Sequence, residues 1–247
     1  MDILVTEIRE RYLLTLDRIS AAAQVSGRTS RSVRLVVVTK AQPLSVVEAA
    51  VAAGVHILGE NYPEEAVKKI LALGHVNEVE WHMIGHVQSR KADLVADYFA
   101  LLHSLDGYKL ASRLDRFAAQ AGRRLPVLLE FNVSGEESKY GWSAWQEERW
   151  PELLSDISGI INLSNLELRG LMTMPPFAET GEPSRNFFIR LRSLRDFLAG
   201  NFPDISWQEL SMGTSVDFEV AVQEGATLVR IGTAIVGPRP AKHGGAD

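Results

Sequence analysis

Eight short runs of apolar and β-branched residues, each followed by a helical periodicity or a turn, succeed one another along this 247-residue chain. Strands separated by helices cannot be joined by tight hairpins, so they pair in parallel, and a parallel sheet needs helices over its faces. The run 34–40 sets the pattern: Leu35, Val36, Val37 and Val38 are apolar on both faces, Lys40 ends the run, and Pro43 opens the next helix at its first turn. The other strand runs are 55–59, 80–84, 99–103, 126–133, 167–172, 206–210 and 228–231. Between them lie a helix over 43–53 stopped by Gly54, one from Pro63 stopped by Gly74, a short one over 88–96, and one capped by Asp106 that runs to Ala121. A Trp-rich helix with Trp142, Trp145 and Trp150, a helix over 185–198 after Pro175-Pro176, and a last one ending at Gly225 complete the series. An opening helix carries Leu4, Ile8, Tyr12, Leu16 and Ile19 on one face. A doubly wound open sheet is the alternative, but no glycine-rich dinucleotide turn follows the first strand. The expectation is one α/β domain, a single (β/α)8 TIM-type barrel with an extra N-terminal helix over residues 1–240, and a flexible tail over 241–247.

Composition narrows the partners. A formal charge of −5 with no Lys/Arg cluster argues against nucleic acid. The absence of cysteine excludes disulfides, thiolate metal sites and a thiol nucleophile. The N-terminus reads as an amphipathic helix with Asp2 and Glu7, neither signal peptide nor membrane span. A cytoplasmic monomer, with no membrane or nucleic-acid partner, is expected.

In a barrel, side chains at the C-terminal ends of strands project into an open crevice, so Lys40 stands where ligands bind. Phosphate is expected after the last two strands, where backbone N–H groups and helix starts converge. There, Ser211-Met212-Gly213-Thr214-Ser215 supplies hydroxyls and a glycine, Thr214 and Asp217 have capping-box spacing, and Gly232-Thr233 follows the eighth strand. The same residues also read as ordinary caps. Arg230 interrupts an apolar strand, and a guanidinium there needs an acceptor, either an internal carboxylate or a ligand atom. His82 and His86, four apart, suggest a metal pair only on a helix, and Ile84-Gly85 between them reads as a strand end, so no metal site is assigned. The polar loop 134–140 carries Lys139, either a mobile amine near the exit or a solvated surface lysine.

An amine facing a phosphate site suits a phosphorylated aldehyde held as a Schiff base, and pyridoxal 5′-phosphate fits both ends. Arg230 would then face the pyridine nitrogen and, being only a donor, keep it unprotonated, which suits a mild catalyst or a carrier. Val37-Val38-Thr39-Lys40, Gly59-Glu60-Asn61-Tyr62, the segment from Trp81 to Lys91, Arg169 to Pro175, Leu210 to Gly213, and Val229 to Thr233 together resemble the YggS/PROSC family of pyridoxal phosphate homeostasis proteins over nearly the whole chain. The resemblance implies a barrel like that of alanine racemase, binding the cofactor without an established reaction. It implies Lys40 as the Schiff-base lysine and Asn61 beside the cofactor, with Ser211, Gly232 and Thr233 at the phosphate and Arg230 at the ring nitrogen. It implies a reservoir or carrier, with apo pyridoxal-phosphate enzymes as partners. The chain departs from the family at Thr214, Val216 and Met83. Two other readings stand beside it: a barrel-type amino-acid racemase, which needs a second base of the kind a further domain supplies, and a cofactor-free Schiff-base aldolase.

Overall fold

The computed structural model describes residues 3–74 and 79–240; the expected tail at 241–247 lies outside the described residues. Eight parallel strands follow one another in chain order: β1 (Arg34–Val38), β2 (Ile57–Glu60), β3 (Glu80–Met83), β4 (Leu101–Leu105), β5 (Leu125–Asn132), β6 (Leu166–Met172), β7 (Glu209–Ser211) and β8 (Leu228–Ile231). β8 pairs with β1, from Leu228 opposite Arg34 to Ile231 opposite Val37, and this pairing closes the barrel. Around it run α1 (Ile3–Val25), α2 (Leu44–Ala52), α3 (Pro63–Leu73), α4 (Ala92–Tyr98), α5 (Tyr108–Gln120), α6 (Leu154–Ile161), α7 (Arg185–Asn201), α8 (Phe218–Gln223) and α9 (Thr233–Val236). None of these helices is long and apolar enough to cross a membrane.

The side-chain period of two divides each strand between two cores. Leu35 and Val37, Val127 and Leu129, and Val229 and Ile231 point outward into the layer under the helices. Val36, Leu101, Leu128, Met172 and Leu228 alternate with them and form a separate small cluster inside the barrel. Other inward positions are polar: Arg34, Glu80 and His82, His103, Glu130, Glu209 and Ser211, and Arg230. At Gly170 on β6 the backbone adopts φ 154°, and a Cβ there would lie 1.9 Å from the Glu209 carbonyl oxygen, so only glycine lets β6 and β7 approach this closely.

Several local expectations shift. Pro43 sits at the cap before α2 instead of in its first turn. Strand β4 begins two residues late, because the Phe99 N–H still bonds the Val95 carbonyl and caps α4. β7 begins three residues late, because the Trp207 indole donates to the Phe202 carbonyl at 3.1 Å and ties down the approach. Asp106 does not cap α5; Gly107 holds the cap position, and the Asp106 carboxylate pairs with His86 at 2.9 Å. The Trp-rich segment is not one helix. Trp142 pairs beside Phe131 in a two-residue strand, and Trp150 lies in a 3-10 turn containing Pro151, whose missing N–H interrupts the ladder until α6 begins.

Candidate functional site

A cavity of about 660 Å³ opens at the C-terminal ends of the strands. Lys40 enters it after β1, Asn61 after β2, Gly85 after β3, Glu130 from β5, Met174 beyond β6, Thr214 and Ser215 beyond β7, Arg230 from β8, and Gly232 and Thr233 just beyond β8. Of the residues singled out in the sequence, Lys40, Asn61, Arg230, Gly232 and Thr233 therefore meet in one place. Ser211 does not reach the cavity wall; it is fully buried beneath Arg230.

Lys40 is presented by a strained turn. Ala41 has φ 57°, the left-handed region, and is the only non-glycine with positive φ among the described residues. Below that turn, Lys69 on α3 donates to the Glu60 carboxylate at 2.7 Å and to the Thr39 carbonyl at 2.9 Å, while the Thr39 hydroxyl donates to Glu60 at 2.8 Å. This buried ion pair clamps the tip of β1 to β2 one residue before the lysine. Burial, then the charges of Arg239 and Arg230, lower the Lys40 pKa, and Glu60 opposes them. A larger fraction of free amine at neutral pH follows, the form that attacks carbonyl carbon.

Arg230 is 4% exposed, and burial brings its pKa down to about 10, so it remains a cation at neutral pH. It meets no carboxylate at hydrogen-bond distance among the described residues. Its donors go to the Ser211 hydroxyl, to the Thr173 carbonyl at 2.9 Å and to the Met174 sulfur at 2.8 Å. The internal salt bridge that the sequence left open is thus not the arrangement adopted.

Asn61 lines the cavity, and its Oδ1 is buried without a hydrogen-bond partner among the described residues. Its placement depends on Gly85, where a Cβ would come within 2.6 Å of the Asn61 carbonyl oxygen. On the β7 side, the Thr214 N–H and hydroxyl are both spent on Asp217, at 2.6 and 3.0 Å, so the expected capping-box pair forms in its reciprocal half. Ser215 and the first turn of α9, opened by Gly232 and Thr233, carry the polar groups that remain for an anion. These groups fit a phosphorylated aldehyde at both ends: an amine of lowered proton affinity, an unpartnered acceptor, an obligate donor and a helix start.

The rim is also ordered by contacts. Tyr140 stacks on His86 at 4.3 Å between ring centroids, which places the loop carrying Ser138 and Lys139 along the cavity wall. His82 and His86 face different surroundings: His82 bonds His103 inside the barrel, and His86 stays at the rim. Sequence reading missed Glu130, His103, Lys91 and Arg239. Glu130 carried the same signal as Arg230, a charge interrupting an apolar strand. The other three required knowledge of which loop or strand lies beside which.

A closed parallel barrel with this mouth is of the alanine racemase N-terminal domain class, whose family model matches residues 14–240. The chain belongs to the family of pyridoxal phosphate homeostasis proteins. It is 38% identical to the member from Aquifex aeolicus over 231 residues, covering 93% of this chain and 97% of that protein, and 40% identical to the member from Vibrio alginolyticus over 219 residues, covering 87% and 91%. PipY of Synechococcus elongatus, solved with PLP bound, superposes with a TM-score of 0.78 at 32% identity, over 93% of this chain and all of PipY. Alanine racemase of Clostridium difficile shares the fold, with a TM-score of 0.67 at 14% identity over 96% of this chain and 58% of the racemase.

Proposed function

We propose that the cavity binds pyridoxal 5′-phosphate with Lys40 joined to its aldehyde as a Schiff base, and that the protein acts in intracellular homeostasis of this cofactor as a reservoir or carrier. The observation that carries this reading is the convergence of Lys40, of lowered proton affinity, with Arg230 and the start of α9 in one cavity. The names of the relatives and the PLP bound to PipY support it. When bound, the cofactor supplies an electrophilic carbon and an electron-accepting ring. The protein's own residues set how far that chemistry goes. Lys40 offers the amine, and Asn61 offers an acceptor beside it. Ser215, Gly232 and Thr233 face the phosphate, while Ser211 acts from beneath, through Arg230. Arg230 can donate but not accept, so it favours an unprotonated ring nitrogen and weakens the ring as an electron sink.

Reduction of the loaded protein with borohydride, followed by peptide mass analysis, is expected to place a pyridoxyl group on Lys40; finding it only on other lysines overturns the assignment. Carrier action is read by mixing loaded protein with a cofactor-free pyridoxal-phosphate enzyme, which should gain activity faster than free dissociation of the cofactor allows. Racemisation of L-alanine at about one per second or faster would establish the racemase reading instead.

A further inference from the structure

Beneath the cavity, a line of hydrogen bonds runs down the barrel axis. Arg230 Nη1 meets the Ser211 hydroxyl; Ser211 Oγ lies 2.7 Å from His103 Nδ1; His103 Nε2 lies 2.9 Å from His82 Nδ1; and His82 Nε2 lies 3.4 Å from Glu80 Oε2 at the opposite end of the barrel. These residues come from β8, β7, β4 and β3. Arg230, Ser211, His103 and His82 are all buried, while the Glu80 carboxylate is 55% exposed.

The chemistry of the two ends fixes every proton between them. Arginine only donates, so Ser211 Oγ accepts from it. The Ser211 hydrogen must then go to His103 Nδ1, its only other partner among the described residues, because a buried hydroxyl without an acceptor is costly. His103, neutral, carries its hydrogen on Nε2 and donates to His82 Nδ1. His82 in turn carries its hydrogen on Nε2 and points it at Glu80. The bonds run one way, from a cation that cannot accept to an anion that cannot donate.

We propose that His103 and His82 are positioning residues for Arg230, holding the Ser211 hydroxyl as a fixed acceptor that pins the guanidinium at the cavity floor. This rests on the reading above in which Arg230 faces the ring nitrogen. A charged His103 would reverse its bond to Ser211, since imidazolium donates from both nitrogens: Nδ1–H would point at the hydroxyl oxygen and leave the buried Ser211 hydrogen without an acceptor. Burial opposes that charge on both rings. Around His103 the charges of His82, Arg230 and Arg34 oppose it too, while around His82 Arg34 opposes it and Glu80 and Glu209 favour it. From the other strands, Glu130 on β5 lies near Arg230, and Arg169 on β6 lies near Glu80 and Glu209.

The first test needs no cofactor. Nitrogen NMR of the histidine rings in the cofactor-free wild type should show His82 and His103 neutral and protonated on Nε2 at pH 7; a hydrogen on Nδ1 of either ring overturns the proposal. The second compares two substitutions in the loaded protein. His103→Leu fills the space but offers Ser211 no acceptor, whereas His103→Gln retains an acceptor and a donor. His103→Leu is expected to weaken pyridoxal phosphate binding about tenfold and to displace the pH at which the bound cofactor's visible band titrates. His103→Gln should recover most of both. A wild type that binds with a visible band while His103→Leu matches it in affinity and titration refutes the positioning role alone. A wild type that forms no such band refutes the cofactor reading, and the NMR result still decides the direction of the chain.

Discussion

Glu130→Gln gives a test of the cavity's electrostatics that requires no ligand. Glu130 is 6% exposed, and burial, helped by the charge of Asp106 and opposed by Arg230, raises its pKa from 4.5 to about 7. The folded state therefore keeps the proton longer than the unfolded chain does. Its contribution is fully present below pH 4.5 and is lost as pH rises through about 7. Each pH unit of that window removes about 1.4 kcal/mol, so roughly 3 kcal/mol is gone by pH 8. Glutamine is close to the protonated acid in shape and cannot ionise. The variant should match wild type in stability near pH 4, gain on it steadily from pH 5 to 7, and lead by roughly 3 kcal/mol above, which for a chain of this size is a rise in Tm of about 6–12 °C. His82 and His103, whose pKa values are lowered, have the opposite slope, stability rising with pH towards 6.5, but they are present in both proteins and cancel in the difference. Thermal and urea unfolding at each pH supply the data. A gap that does not change with pH, or a variant less stable than wild type at pH 8, would refute the assignment of a buried, strained carboxylate at this position.

Other perturbations address the scaffold. Lys69→Met strands the buried Glu60 carboxylate, whose Oε2 already lacks a partner among the described residues, and should cost about 3–5 kcal/mol in urea unfolding. Gly170→Ala drives a Cβ into the Glu209 carbonyl, and soluble expression or Tm should collapse, a loss above about 4 kcal/mol; a variant within 1 kcal/mol of wild type would show that β6 and β7 approach less closely. Ala41→Gly relieves a left-handed residue worth about 1–2 kcal/mol against about 0.4–1 kcal/mol of added unfolded-chain freedom, so a small rise in Tm is expected.

Much of the architecture was legible because it is written in local patterns. The eighth strand was read to the residue, and the helix stops at Gly54 and Gly74 are where the sequence placed them, since a period of 3.6 and a residue with no Cβ act over one or two turns. Lys40, Arg230 and the glycine after β8 were legible for a second reason: in a parallel barrel every strand's C-terminal end goes to one mouth, so residues about 190 apart in sequence are brought together by the fold class alone.

What the sequence did not carry is whatever depends on rotation and neighbours around the barrel. It could place Ser211 near the phosphate loops, but not turn its hydroxyl down towards His103, because inward or outward orientation at a strand end depends on strand tilt and register. It could mark Asp106 as a cap, but not weigh that role against His86, which arrives from the end of another strand. The sequence by itself determined the element order, the barrel and the amine at its mouth, all consequences of short-range periodicity and chain direction. Only the tertiary structure decided which polar side chains point inward together, because a line of hydrogen bonds through Arg230, Ser211, His103 and His82 exists only once two pairs of strands from opposite halves of the chain face one axis.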